Sequence, residues 1–328
     1  MKNGNLKVFI LLSLMLLAAM PLQAGKKDKD KTIRLLYWNI QNGMWDGQTD
    51  NYDRFVNWVA DKDPDICVWC EAEDHKVTGT SKTIPEDQRY LPEGWRELMQ
   101  RYGHKYMFVS GRRDSFPQVI TSKYPIDTVG QFIGEQPDSV VKHGCGWARV
   151  HIEGKDINIV TLHLQPFNYW PGVPKEEQEV SKSNCGGEKY RRLEMEWIIN
   201  HTARTSPNPG KELWMMMGDF NSKSRKDNFK YKMSEASEYF LVHNYIEDAA
   251  PYYYDVIAEM YPGTFITSTY GQARVDYVYV TKPILKAITY AESVRDSYTK
   301  PVYSGISNYY HPSDHLPIIV DFSLKKIK

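Results

Sequence analysis

The sequence predicts an α/β domain, and three observations carry that expectation. The apolar run Leu213-Trp214-Met215-Met216-Met217 stops at Gly218, and Asp219 and Asn221 follow. Such a run, closed by a turn former, reads as a strand buried on both faces. Residues 33–40, 51–61 and 66–70 read as strand, amphipathic helix and strand, the helix carrying Phe55, Val56 and Val59 on one side. That succession suits a βαβ unit or a mixed sheet. Residues 147–152 and 157–164 flank Gly154-Lys155 as a hairpin.

The chain has 328 residues, of which 41% are hydrophobic and 25% charged, an ordinary globular composition and not a disordered or fibrous one. Basic and acidic residues balance at 41 each. A tight non-specific DNA binder, which uses many phosphate contacts, is disfavoured by that neutrality. Lys2 and Lys7 precede an apolar stretch at 8–20, and Ala24 follows. This is the pattern of a secretory signal peptide over 1–24, shorter in its apolar part than the roughly 18 residues of a spanning helix. The expected product is exported, periplasmic or extracellular. No cysteine follows the apolar stretch, which argues against an N-terminal lipid anchor. A charged lead-in at 25–32 then precedes a domain over 33–328.

The remaining elements follow in order. Pro64-Asp65 stops the first helix, and Glu71 lies at the end of the second strand. Residues 74–100 are polar and irregular, a loop with a short helix. Residues 106–109 and 119–122 read as paired strands. His163 stands at the end of the hairpin's second strand. Residues 165–187 read as a long loop rich in Pro, Gly and aromatics, including Phe167, Tyr169 and Trp170. Residues 188–204 read as a helix with Leu193, Trp197 and Ile198 on one face, where Arg191 and Arg192 suit a solvated side. A polar helix is expected near 226–240, a strand at 274–280 with Asp276 near its start, and a closing strand at 318–322. No internal repeat or linker interrupts the chain.

Cys67 and Cys70 have C-x-x-C spacing but sit in a strand, where their side chains face opposite ways. A redox pair or zinc site needs sulfurs on one side, so buried apolar cysteines are the better reading. An exported protein permits a Cys145–Cys185 bridge, which sequence alone does not decide.

Polar groups gather at strand ends: Asn39, Glu71, His163, Asp219, Asn221, Asp276, Asp314 and His315. Carboxylates and amide oxygens without cysteine suit a hard divalent cation, Mg²⁺ or Mn²⁺. Such an ion polarises a phosphoryl oxygen, and a histidine backed by a carboxylate moves protons near neutral pH. This inventory fits metal-assisted phosphoester hydrolysis better than acyl transfer, and no G-x-S-x-G elbow is present.

Six motifs stand in order: W-N-I at 38–40, P-D-I with C-E over 64–71, T-L-H-L at 161–164, G-D-F-N at 218–221, R-V-D-Y-V at 274–278 and S-D-H-L-P at 313–317. In this set and order the chain resembles the endonuclease/exonuclease/phosphatase superfamily. The resemblance implies a four-layer α/β sandwich with two mixed sheets packed face to face, as in DNase I. It implies Glu71 as the principal metal ligand, with Asn39 and Asp314 contributing. Asp219 would position or activate the attacking water, and Asn221 and His163 would contact the phosphate. His315, oriented by Asp276, would act on the phosphate as a proton-bearing group. The chain departs from the abasic-site branch at Gln41, where that branch carries Asp or Asn.

The expected substrate is a phosphodiester, first a nucleic acid and second a phospholipid head group. A small phosphorylated metabolite, cleaved as a monoester, is the alternative, and a non-catalytic binder on the same fold is another. No obligate protein partner is inferred. The aromatic loop at 167–170 suits stacking, or peripheral contact with a membrane.

Overall fold

In the computed structural model, residues 31–44, 48–72, 94–112, 115–132, 140–303 and 309–327 are described. The expected leader at 1–24 and most of the lead-in at 25–32 lie outside them. Strand β1 (Thr32–Asn39), helix α1 (Asp53–Lys62) and strand β2 (Ile66–Cys70) form the opening unit. Helix α2 (Trp95–Arg101) and strands β3 (Tyr106–Arg112) and β4 (Ser115–Ser122) follow. Strands β5 (Ile126–Phe132), β6 (Cys145–Ile152) and β7 (Lys155–His163) make a meander. Helices α3 (Gln178–Ser183) and α4 (Gly186–His201) lead to strand β8 (Trp214–Asp219). Next come α5 (Asn228–Tyr231), α6 (Leu241–Ala249), β9 (Tyr253–Asp255), α7 (Val256–Met260) and β10 (Asp276–Thr281). Helix α8 (Lys282–Leu285), β11 (Ile288–Ser293), the short strands β12 (Val302–Tyr303) and β13 (Tyr310–His311), and β14 (Ile318–Ser323) complete the order.

These strands build two six-stranded mixed sheets, ordered β11-β14-β1-β2-β4-β3 and β5-β6-β7-β8-β10-β9. Each has one parallel pair inside it, β1–β2 in the first and β7–β8 in the second. The last long strand, β14, lies in the interior of the first sheet between β11 and β1.

Side-chain alternation explains the layers. Leu35 and Tyr37 of β1, with Val68 and Cys70 of β2, meet Ile159, Met215, Met217 and Val278 of the second sheet in the core between the sheets. Leu36, Trp38, Cys67 and Trp69 face the other way and pack on Phe55 and Val59 of α1 and Trp95 and Leu98 of α2. Val160, Leu162 and Met216 turn outward onto Met195 and Ile198 of α4 and Val242 and Ile246 of α6. The result is the four-layer sandwich, helices outside two face-to-face sheets.

Several local expectations need correction. The helix expected near 226–240 is broken: α5 ends at Tyr231 and is capped by Lys232, whose φ of 54° is left-handed and whose amide donates back to the Asn228 carbonyl. The 165–187 segment contains α3. In α4 the buried line runs through Arg191, Glu194, Met195 and Ile198, so Leu193 falls off it and is 36% exposed. Arg191 is buried, contrary to a solvated face. Cys145 and Cys185 form no bridge: Cys145 is buried in β6 against the outer helices, while Cys185 sits half-buried at the start of α4.

Candidate active site

Strand register brings the polar ends together. Asn39 pairs with Cys70 on the last rung of β1–β2, and Glu71 follows directly. His163 pairs with Asp219 on the last rung of β7–β8, and Asp219 pairs with Asp276 across β8–β10. Gly218 permits the close approach of β8 to β7, since a Cβ there would lie 2.0 Å from the Leu162 carbonyl oxygen. The segment before β14 carries Asp314 and His315. Its Ser313 hydroxyl donates to the Asn39 carbonyl at 2.7 Å and accepts from the His315 amide at 3.0 Å.

Asp219 is the hub. Its Oδ2 accepts from Asn39 Nδ2 at 3.1 Å and lies 3.9 Å from both His163 Nε2 and His315 Nε2. Its Oδ1 accepts the Asn221 amide at 2.8 Å, while Asn221 Nδ2 donates to the Leu164 carbonyl at 3.1 Å. Asn39 Nδ2 also donates to Glu71 Oε1 at 2.9 Å, and the Asn42 amide donates to Glu71 Oε2 at 3.1 Å. His163 Nε2 stands 3.9 Å from Glu71 Oε1. His315 Nδ1 meets Asp276 Oδ2 at 2.8 Å, and Asp276 Oδ1 accepts from Tyr37 at 2.7 Å. Among the described residues, Glu71, His163 and Asp219 form one group spaced to hold a metal ion, and Asp219, Asp276 and His315 another.

Glu71, Asp219 and Asp276 crowd together with little access to water, and their charges are costly there. Burial, with the Asp276 charge adding to it, pushes Asp219 up to about 8. Burial pushes Glu71 up to about 7, against the hydrogen bond from Asn39. Burial, with His143 and His315 nearby, holds His163 well below the ordinary histidine range. At His315 burial opposes the proton, but Asp276, Asp219 and Asp314 outweigh it and hold the ring's pKa well above the ordinary value. Burial and neighbouring charge thus push the two histidines in opposite directions.

The site opens into a cleft of about 770 Å³, with Glu71, His163, Asp219, Asn221, Asp314 and His315 in its lining. Asp314 sits beside His315, its Oδ1 3.9 Å from Nε2. All eight sequence-predicted residues thus belong to one neighbourhood, six in the cleft wall and Asn39 and Asp276 behind it. Gln41 also lines the cleft and accepts the Tyr310 amide at 2.9 Å, tying the end of β1 to the segment before β14. His311 belongs to β13 and meets Gln48 Nε2 at 2.9 Å, outside the cleft wall.

Other residues of the site escaped the sequence reading. Lys142 and His143 line the cleft, and the His143 ring stacks on His163 at 4.6 Å. Glu188, Arg191 and Glu194 stand three residues apart on α4 and fasten the rim. Arg191 Nη1 donates to the carbonyls of Gln165 at 2.9 Å and Phe167 at 3.1 Å, and its other nitrogens pair with Glu188. Glu194 accepts the amides of Gln165 at 2.8 Å and Lys142 at 2.9 Å. The available signal was the E-x-x-R-x-x-E spacing, which places three charges on one helix stripe. Tyr37, two residues before Asn39, shares its face of β1 by strand alternation.

Comparison with known proteins fits this arrangement. The profile described as the Endonuclease/Exonuclease/phosphatase family matches residues 36–315. No curated protein matches the chain. An AP endonuclease from Archaeoglobus fulgidus superposes with a TM-score of 0.58 at 16% identity, covering 88% of this chain and 99% of its own. The human Nocturnin catalytic domain gives 0.55 at 15% identity, covering 89% and 93%. A Bacteroides thetaiotaomicron protein described as endonuclease/exonuclease/phosphatase family gives 0.52 at 14% identity, covering 90% and 98%. At these identities the structural likenesses speak for the fold. On the family match and the shared architecture, the chain belongs to the endonuclease/exonuclease/phosphatase family of phosphoester-hydrolysing enzymes.

Proposed function

We propose that the protein is an exported, Mg²⁺- or Mn²⁺-dependent phosphodiesterase that attacks its substrate with water. The observation that carries this reading is the Asp219 hub, whose one oxygen is approached by Asn39 Nδ2, His163 Nε2 and His315 Nε2. Export rests on the leader-like pattern of 1–24.

The residues present fit a hard cation. Glu71 and Asp219 offer oxygen donors side by side, bridged by the Asn39 amide nitrogen, the described cleft lining contains no cysteine, and buried Asp314 Oδ1 has no hydrogen-bond partner. Glu71 would hold the ion, with Asp314 contributing; Asn39, expected as a further ligand, turns its amide nitrogen to Glu71 and Asp219 and its oxygen to the Gln41 amide at 3.0 Å. When bound, it supplies Lewis-acid stabilisation of phosphoryl and leaving oxygens. The chain's own groups do the rest. Asp219, in its ionised form, orients the attacking water and accepts its proton. His163 and Asn221 hydrogen-bond the phosphate oxygens. His315, held by Asp276, presents a proton to a phosphate oxygen as charge builds on it.

Hydrolysis of bis(p-nitrophenyl) phosphate beside p-nitrophenyl phosphate, with Mg²⁺, Mn²⁺ or EDTA, tests the reading. Metal-dependent cleavage of the diester is expected, abolished by Glu71→Ala and His315→Ala in folded protein. Cleavage of the monoester alone would move the assignment to a phosphatase of small metabolites or phosphoinositides. Ligand binding without turnover of either would indicate a non-catalytic member. A phospholipid head group is the second substrate reading, favoured by the exposure of Phe167 (54%) and Trp170 (38%) near the cleft.

A further inference from the structure

Two aromatic rings stand on the cleft rim with no part in the hub. Phe167 and Tyr169 are stacked almost parallel, with centroids 5.1 Å apart and planes 9° apart. Both line the cleft that holds Glu71, Asp219 and His315. Tyr169 is backed by Lys182, whose ammonium lies 5.7 Å from its ring centroid. Phe167 keeps 54% of its surface exposed.

The backbone beneath them is held unusually well for a surface loop. Arg191 grips the Gln165 and Phe167 carbonyls, the Gly187 amide donates to the Asn168 carbonyl at 3.1 Å, and the Trp170 amide donates to Ser181 Oγ at 2.9 Å. A Cβ on Gly187 would fall 2.2 Å from the Phe167 carbonyl oxygen, so helix α4 and this loop meet backbone to backbone. An exposed ring on an anchored loop binds with little ordering cost.

We propose that Phe167, backed by Tyr169, is a stacking wall for a nucleobase carried by the phosphoester, an inference that rests on the phosphodiesterase reading. A flat aromatic face stacks on any base with useful and sequence-tolerant energy. Gln178, half-buried, lines the same cleft, and an amide side chain can both donate to and accept from a base edge. A membrane-inserting loop has different surroundings. Here exposed Glu176, Glu177 and Glu179 outnumber the nearby Lys175 and Lys182, and acidic groups are repelled by anionic lipid surfaces.

Two substrates with the same leaving group test this, p-nitrophenyl thymidine-5′-phosphate and p-nitrophenyl methyl phosphate. The wild-type enzyme is expected to prefer the thymidine ester. Phe167→Ala should lower the kcat/KM ratio of thymidine to methyl ester by about tenfold, the scale of one base stack, and Phe167→Trp should keep it. An unmoved ratio in Phe167→Ala, or a loss seen only in sedimentation with phosphatidylcholine vesicles, overturns the proposal. If the wild type cleaves neither ester, the phosphodiesterase reading fails separately. Calorimetry with thymidine 5′-monophosphate against methyl phosphate then decides the wall. A preference for the nucleotide that Phe167→Ala removes supports it, and equal or absent binding overturns it.

Discussion

Tyr37 and Asp276 join the two sheets directly beneath the site: the phenol of β1 donates to Asp276 Oδ1 of β10 at 2.7 Å. The other oxygen of the same carboxylate holds His315. One buried aspartate thus couples the packing of the sheets to the orientation of His315.

Tyr37→Phe leaves Asp276 Oδ1 without its donor in a buried place. Loss of such a bond costs about 1–3 kcal/mol. Chemical denaturation should show that loss, and kcat should fall because His315 is less firmly aimed. Unchanged stability would mean that water replaces the phenol.

Asp276→Asn keeps the volume but removes the charge that holds the proton on His315. The variant should fold, and kcat should drop by about 10²–10⁴, the usual range for losing a positioned acid or base. The alkaline limb of the kcat–pH profile should move to lower pH, because the ring gives up its proton more readily. An unmoved limb would assign that titration to another group.

Gly218→Ala places a methyl where the Leu162 carbonyl stands. The strands must part, and Asp219 is the next residue. Turnover should be lost with the circular dichroism spectrum preserved, and a fully active variant would refute the close approach.

His104 supplies a pH dependence of stability away from the site. Burial lowers its pKa to about 4, and its ring bonds Thr121 Oγ1 and the Pro64 carbonyl. Below the unfolded value of roughly 6.5 the unfolded chain takes up a proton that the folded one refuses. This group therefore destabilises the fold as pH falls from about 6.5 to 4, by about 1.4 kcal/mol per unit at most. His104→Gln should flatten that part of the stability–pH curve; parallel curves would show that the ring does not control it.

Much of the architecture was legible because buried strands have a plain signature. Runs such as Trp214–Asp219 are apolar until a polar residue closes them, and that residue sits where the sheet ends. Asn39, Glu71, His163 and Asp219 were visible for that reason. The rim was not. Glu188, Arg191 and Glu194 are charged residues on a helix, and in sequence such residues look solvated; only the loops folded over them make them buried. His143 precedes β6 without a motif of its own, and its place beside His163 depends on the sheet pairing. The Lys226–Phe240 stretch misled because polar helix formers there lack the periodic apolar face that would hold them to the core.

The placement of β14 bears on how the protein is made. It is the last long strand of the chain, yet it occupies an interior position beside β1, and the residues just before it bring Asp314 and His315 to the cleft. A nascent polypeptide with every preceding element still lacks an interior strand of the first sheet, and with it Asp314 and His315.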